Sequence, residues 1–256
     1  MNFEKKTAIS TGAASGMGLL FAQNFAALGG NVVLCDVNEA VLNEKVAEIN
    51  AQNGGRAIGV VCDVRDYAQV CAARDKAVAT FGSIDVLANF AGGASTRIQK
   101  VDKVLYPELP DVPIDVYDWG LDVNLKGPFY FAHAVLGQMR TQKSGVIINL
   151  GSITGAEGSG YNPDYTTAKA GLMYGLTKSI AQFGAKHNIR CVCVSPGPVL
   201  TRPEMAKMKT PMGRAAEPQE IIDLCLFLVS DKGQFINGEN IMIDGGRNAM
   251  GRKMPG

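Results

Sequence analysis

Short, largely apolar runs recur along this chain, and a segment with helical spacing separates each from the next. Thr7–Ser10, Asn31–Cys35, Ala57–Cys62, Ile84–Ala88, Val146–Leu150, Cys191–Val194 and Ile241–Ile243 read as strands. A strand with one wet face alternates apolar and polar residues; runs without that alternation need cover on both faces. Helices between consecutive strands supply the cover, and right-handed crossovers leave the strands parallel. Apolar spacing predicts those helices near Met17–Leu28, Glu39–Gln52, Tyr67–Phe81, Val116–Met139, Tyr165–Lys186 and Glu220–Val229, with a polar loop from Pro196 to Ala216. The expected fold is therefore α/β, a single doubly wound Rossmann-type domain over 1–256 with a parallel sheet of about seven strands. Residues 1–150 form its cofactor half and 151–256 its catalytic and substrate half.

Composition narrows the classes of partner. Lys+Arg is 25 against Asp+Glu 24, so no electrostatic footprint for nucleic acid or an anionic membrane is expected. No apolar run approaches the ~18 residues of a membrane span, and the N-terminus lacks a signal-peptide pattern. A cytoplasmic location is expected. The six Cys form no C-x-x-C; Cys191 and Cys193 would share one side of a strand, but with two His in the chain they read as buried thiols, and no metal site is expected. His133 and His187 fall in predicted helices with no catalytic or ligand arrangement around them, and Trp119 reads as packing.

Ligands of doubly wound sheets bind beyond the C-terminal ends of the strands, and the informative residues lie there. Thr11-Gly12-Ala13-Ala14-Ser15-Gly16-Met17-Gly18 joins the first strand to the first helix. Glycines there let the backbone turn sharply against a pyrophosphate, and the helix start offers free N–H groups. Asp36 ends the second strand, where a carboxylate accepts from the adenosine ribose hydroxyls and repels a 2′-phosphate. Neither Ser15 nor Val37 is basic, so NAD is expected in preference to NADP. Asp63 and Val64, after the third strand, are candidates for the adenine edge.

Ser152, Tyr165 and Lys169 carry the chemistry. Hydride transfer to a carbonyl needs a proton donor at the oxygen as it becomes an alkoxide. A free Tyr, with a pKa near ~10, exchanges its proton reluctantly at neutral pH. An ammonium ~4 Å away favours the phenolate by about 4 kcal/mol at an effective dielectric near 20, equivalent to ~3 pKa units. Lys169 lies four residues after Tyr165, on the same helix face. Ser152, just after the fifth strand, would hold the substrate oxygen against the Tyr165 hydroxyl, with Thr154 nearby in the substrate pocket.

These motifs occur in an order that resembles the short-chain dehydrogenase/reductase family over about residues 5–247. The resemblance rests on the 11–18 turn, Asn89-Phe90-Ala91-Gly92, Asn124 within Val123–Gly127, Gly151-Ser152, Tyr165 with Lys169, Pro196–Thr201, Asn237-Gly238 and Asp244-Gly245-Gly246. It implies Tyr165 as acid/base, Lys169 also on the nicotinamide ribose, and Ser152 polarising the substrate. It implies Asn124 as catalytic, holding a water that links Lys169 to solvent. Gly12, Ser15, Gly16, Met17, Gly18, Asn89, Ala91, Gly92, Pro196, Gly197, Val199 and Thr201 would position the cofactor. It also implies a homotetramer or homodimer. Two departures stand out: Phe90 replaces an expected Asn, and the stretch from Gly92 to Asn124 carries an insert near Tyr106–Pro113.

The expected function is NAD(H)-dependent interconversion of a secondary alcohol and a ketone on a small-molecule substrate. A 3-oxoacyl-thioester reductase shares every motif, and Lys207, Lys209 and Arg214 would then offer a basic patch to an acyl carrier. A non-catalytic dinucleotide-binding protein is the reading from another class. The substrate pocket is expected from 93–96, 154–161 and 198–212, where Glu157, Tyr161 and Asn162 suggest a polar, hydroxylated substrate. The 198–216 loop is expected to close over it. The tail from Arg247 is expected to pack on a neighbouring subunit or hang free.

Overall fold

A computed structural model of the protein describes residues 1–95, 109–208 and 210–250. Most of the insert after Gly92, with Thr96, Arg97 and Tyr106, falls outside them, as do Lys209 and the tail beyond Met250. The sheet contains β1 (Thr7–Thr11), β2 (Asn31–Asp36), β3 (Ala57–Val61), β4 (Val86–Asn89), β5 (Gly145–Leu150), β6 (Ile189–Pro196) and β7 (Asn240–Ile243). All seven are parallel, in the order β3-β2-β1-β4-β5-β6-β7. The chain reverses its winding between β1 and β4, which opens a crevice at their C-terminal ends.

Strand alternation explains the all-apolar runs. Ala8, Val32, Leu34, Ile148, Val192 and Val194 pack on one face, against Phe21 and Phe25 of α1 (Gly16–Ala27), Leu42 of α2 (Glu39–Asn53) and Ile222 and Leu226 of α9 (Pro218–Val229). Ile9, Val33, Leu87, Ile147 and Cys191 pack on the other, against Val70 of α3 (Tyr67–Phe81) and Phe131, Val135 and Met139 of α5 (Gly127–Gln142). Each Val, Leu, Ile, Phe or Met among them, fully buried, contributes about 1.5–3 kcal/mol. Phe90 joins the first cluster, its ring 5.5 Å from that of Phe21, so the departure from the family motif fills core volume.

Several boundaries differ from expectation. Ile84 is not in β4: its N–H and C=O are both bonded to the Gln142 side chain. β6 is longer than 191–194, pairing β5 on one side and β7 on the other. The helix expected at 116–139 starts at Ile114 as α4 (Ile114–Leu121), passes through a π-helical turn (Asp122–Lys126) and continues as α5. The one expected at 165–186 starts with Pro163 in its first turn as α7 (Pro163–Ala170), passes through a second π turn (Gly171–Leu176) and ends as α8 (Thr177–Ala185). A π turn adds one residue to a helical turn, and such turns cluster at functional sites. Side chains meet carbonyls in both: Asn124 Nδ2 donates to Gly120 O at 3.0 Å, and the Thr177 hydroxyl to Leu172 O at 2.7 Å. His187 lies past the end of α8, in a turn completed by Asn188 at φ +57°. A short helix, α6 (Thr154–Glu157), was not anticipated. The 196–216 loop holds a 3₁₀ turn at Pro203–Lys207, and its ends are joined by Leu200 N–H to Ala216 O and Ala216 N–H to Pro198 O.

Candidate active site

The turn after β1 is shaped to receive an anion. Gly12 has φ +63°, and a Cβ there would stand 2.9 Å from the Ala91 Cα, so a side chain is excluded both by conformation and by space. The Thr11 hydroxyl oxygen accepts from Phe90 N–H and Ala91 N–H, each at 3.0 Å, tying the turn to the end of β4. Asn38 caps α2 and Asp66 caps α3 through their side chains, whereas Ser15 makes no such bond at the start of α1. The first-turn N–H groups of α1 therefore face the crevice without a side-chain acceptor, and the backbone can approach a pyrophosphate closely.

Asp36 organises the next wall. One carboxylate oxygen accepts from Ala14 N–H and the other from Asn38 N–H, both at 3.0 Å. Each oxygen keeps a lone pair for a further donor. Asp63 is gripped by Arg65 at 3.0 Å (Nε) and 2.6 Å (Nη2), and this guanidinium holds its carboxyl below the usual range. The Arg65 guanidinium in turn lies 5.9 Å from the Trp119 ring centroid. Trp119 thus lines the cleft rather than serving only as packing.

Tyr165 and Lys169 stand on α7, one turn apart. Lys169 is buried; its Nζ donates to Leu150 O at 2.6 Å and lies 5.4 Å from the Tyr165 ring centroid. Burial pushes its ammonium down to about 8. Ser152 follows β5, and its hydroxyl oxygen accepts from Thr154 N–H at 3.2 Å. Behind them the Asn124 amide clamps Gly93, accepting from its N–H at 2.9 Å and donating to its C=O at 3.0 Å. Gly92 has φ +148°, and a Cβ there would stand 2.4 Å from Asn124 Oδ1 and 3.8 Å from Lys169 Nζ. Gly92→Ala should therefore displace the clamp. Strain of about 1–3 kcal/mol predicts a fall of roughly 2–12 °C in Tm for a domain of this size. Turnover should drop at least about tenfold, the factor that 1.4 kcal/mol of lost positioning gives. Scanning calorimetry and an NADH absorbance assay check both.

One cleft of about 1650 Å³ joins these groups, above the 300–1,000 Å³ usual for a small-ligand pocket. Gly12, Ser15, Gly16, Met17, Gly18, Asp36, Asp63, Val64, Ala91 and Gly92 line one part; Ser152, Thr154, Tyr165, Lys169, Pro196, Gly197, Val199 and Thr201 line the rest. Asn89 and Asn124 are not on its wall. Asn89 donates to Asn149 Oδ1 within the sheet, and Asn124 is fully buried behind Gly93. Glu157, Arg202 and Met205 line it within the expected pocket segments, and Arg65, Trp119 and Arg247 line it from outside them. Arg247 pairs with Glu157 across 90 residues of chain, a contact that no local pattern announces. Asp164, just before Tyr165, is buried and accepts a hydrogen bond from the Ser95 hydroxyl, linking α7 to the segment after β4. No group of metal-ligating side chains occurs among the described residues.

Comparison with known proteins gives the same outline. A family model described as Enoyl-(Acyl carrier protein) reductase matches residues 12–248. The trans-4-hydroxycyclohexanecarboxylate dehydrogenase of Sinomonas cyclohexanicum is 40% identical over 96% of this chain and 93% of its own length. The cis-4-hydroxycyclohexanecarboxylate dehydrogenase of the same organism is 36% identical over 97% and 98%. The crystal structure of a 3-oxoacyl-[acyl-carrier protein] reductase with bound NAD from Brucella melitensis superposes with a TM-score of 0.86 at 30% identity, over 95% of this chain and 91% of that one.

Proposed function

Since the chain belongs to the short-chain dehydrogenase/reductase family, we propose that it interconverts a secondary alcohol and a ketone with NAD(H) in preference to NADP(H), using Tyr165 as the acid and base. The observation that carries the chemistry is the meeting of Ser152, Tyr165 and Lys169 on one wall of the cleft, with the Lys169 ammonium 5.4 Å from the Tyr165 ring. A bound nicotinamide would supply the hydride or accept it. The Ser152 hydroxyl holds the substrate oxygen, and Tyr165 gives that oxygen its proton during reduction or takes it during oxidation. Lys169 favours the phenolate and would hydrogen-bond the nicotinamide ribose of a bound cofactor. Asn124 fixes the backbone behind Lys169, and Asn89 steadies β4 from within the sheet. Gly12, Ser15, Gly16, Met17, Gly18, Asp36, Asp63, Val64, Ala91, Gly92, Pro196, Gly197, Val199 and Thr201 would hold the dinucleotide, so the first 150 residues would mainly bind cofactor and the rest mainly act on substrate.

Asp36 supports the NAD preference. A 2′-phosphate bound at the end of β2 would meet its charge, Val37 beside it is apolar and exposed, and the Arg65 fork is already committed to Asp63. NADH should bind at least about tenfold more tightly than NADPH, as 1.4 kcal/mol of repulsion gives. Asp36→Ala should close most of that gap in a fluorescence titration. Equal affinities in the wild type would overturn the preference.

The names of the relatives support a compact hydroxy acid as substrate. A 3-oxoacyl-thioester reductase is the second reading, favoured by the Brucella structure. Against it, Arg214 is spent on Glu220 at 2.6 and 2.7 Å, so it adds nothing to a carrier-binding patch. A purely cofactor-binding role gives no reason to bury an ammonium beside a phenol. Oxidation of a panel of hydroxy acids with NAD⁺, set beside reduction of a 3-oxoacyl thioester, separates these readings.

We also infer a homodimer or homotetramer, paired through exposed aromatic groups on its long helices, Phe129, Tyr174 and Phe183. Its six unpaired cysteines suit the reducing cytoplasm. Among the described residues no helix is long and apolar enough to cross a membrane.

A further inference from the structure

We propose that Arg247 is the anchor for a substrate carboxylate, held ready by Glu157. The inference rests on the alcohol–ketone reading above and adds the group that selects the substrate. Arg247 follows β7, and its Nε and Nη2 each donate to a different Glu157 oxygen at 2.8 Å. A guanidinium presents two planar forks, one through Nε and Nη2 and one through Nη1 and Nη2. Glu157 occupies the first. The second has no acceptor among the described residues, while the guanidinium, about a quarter exposed, stands on the wall of the cleft.

The anchor is tied to the reacting centre by short, stiff structure. Glu157 is the last residue of α6, whose first N–H is bonded to the Ser152 hydroxyl oxygen and whose Glu157 N–H is bonded to Ile153 O. On the other side, Asp244 accepts from Gly246 N–H at 2.9 Å and Asn248 N–H at 2.6 Å, closing a turn around Arg247. Both partners are thus placed before a ligand arrives, which lowers the entropy cost of binding. The pairing also cancels most of the net charge, so the open fork selects by planar geometry rather than by attracting any anion. Among the described residues, the two other guanidinium groups that grip a carboxylate with two nitrogens are placed differently. Arg65 packs on Trp119 beside Asp63, and Arg214 holds Glu220 away from the cleft wall. Arg202 is exposed, and its recorded partner is the Met205 sulfur. The ligand class is a compact molecule with a carboxylate at one end and a secondary hydroxyl or ketone at the other, spanning from Arg247 to Ser152 and Tyr165.

The test compares wild type, Arg247→Gln and Arg247→Lys in two assays. The first is the ratio of kcat/KM for 4-hydroxycyclohexanecarboxylate to that for cyclohexanol. The second is calorimetric binding of cyclohexanecarboxylate, which cannot be oxidised at a hydroxyl, in the presence of NAD⁺. Loss of a bidentate charge-assisted bond predicts that Arg247→Gln lowers the ratio about 30-fold and weakens cyclohexanecarboxylate binding by a similar factor. Arg247→Lys, which keeps the charge but loses the fork, should recover less than half of that loss on a logarithmic scale. Tm and NADH affinity are read in parallel, so that a displaced C-terminal segment is recognised. A ratio and a binding constant within about threefold of wild type in Arg247→Gln would overturn the anchor. A wild type that prefers cyclohexanol to the acid would overturn it too, while leaving the alcohol–ketone reading intact. If no alcohol were oxidised, that reading would fail by itself, and the calorimetric comparison would still decide whether Arg247 holds a carboxylate.

Discussion

Tyr165→Phe should lower turnover about 10³-fold in both directions, within the usual range for losing a positioned acid–base group. NADH affinity should stay close to wild type. The substitution removes one oxygen atom and leaves the ring beside Lys169 Nζ, so the packing of α7 is preserved. Stopped-flow measurement of hydride transfer reads the rate, and fluorescence titration reads the binding. The two results together matter. Loss of both would point to a collapsed cleft, and retention of both would remove Tyr165 from the chemistry.

Lys169→Met has the second-largest effect and carries a sign that separates catalysis from stability. Lys169 Nζ is 5.4 Å from the centre of the Tyr165 ring, and an ammonium at about that distance from the phenolate charge favours it by about 3 kcal/mol at an effective dielectric near 20, a shift of roughly two pKa units. Removing it should cut alcohol oxidation near pH 7 about 100-fold and move the pH at which the rate rises up toward the ~10 of a free phenol. Stability should move the other way. Burial lowers the Lys169 ammonium from 10.5 to about 8, a folding cost of about 3 kcal/mol that is fully present below pH 8. Between about pH 8 and 10.5 the unfolded chain holds a proton that the folded one has released, so wild-type stability from this group rises with pH. Lys169→Met removes the cost and also leaves Leu150 O without its donor. Its Tm should therefore equal or exceed that of wild type at pH 7, and the advantage should shrink by pH 10. Thermal melts across that range check the sign.

How much of this was legible in the sequence depends on how local each signal is. The inner strands could be read because they are buried on both faces, so that Val32-Val33-Leu34-Cys35 needs no polar alternation. The turn at Gly12, the acid at Asp36 and the Tyr165–Lys169 pair are local patterns, and they do share one cleft. The two π turns were invisible because one extra residue scarcely disturbs apolar spacing over a long helix. Asn89 and Asn124 were found by motif, but whether a side chain faces the cleft or the interior depends on partners such as Asn149 and Gly93 that are distant in sequence. The Glu157–Arg247 pair and the Asp164–Ser95 bond lie beyond any window, since only the assembled fold brings those segments together.

The central claim is that the buried ammonium of Lys169 makes Tyr165 a working acid and base near neutral pH. The most direct test is the pH dependence of single-turnover hydride transfer by the wild-type protein, followed in both directions on one alcohol–ketone pair. The account predicts that oxidation rises and reduction falls through one shared apparent pKa between about 7 and 8.5, a value belonging to the pair rather than to either residue. An oxidation rate that keeps climbing toward pH 10, as an unassisted phenol would require, contradicts it.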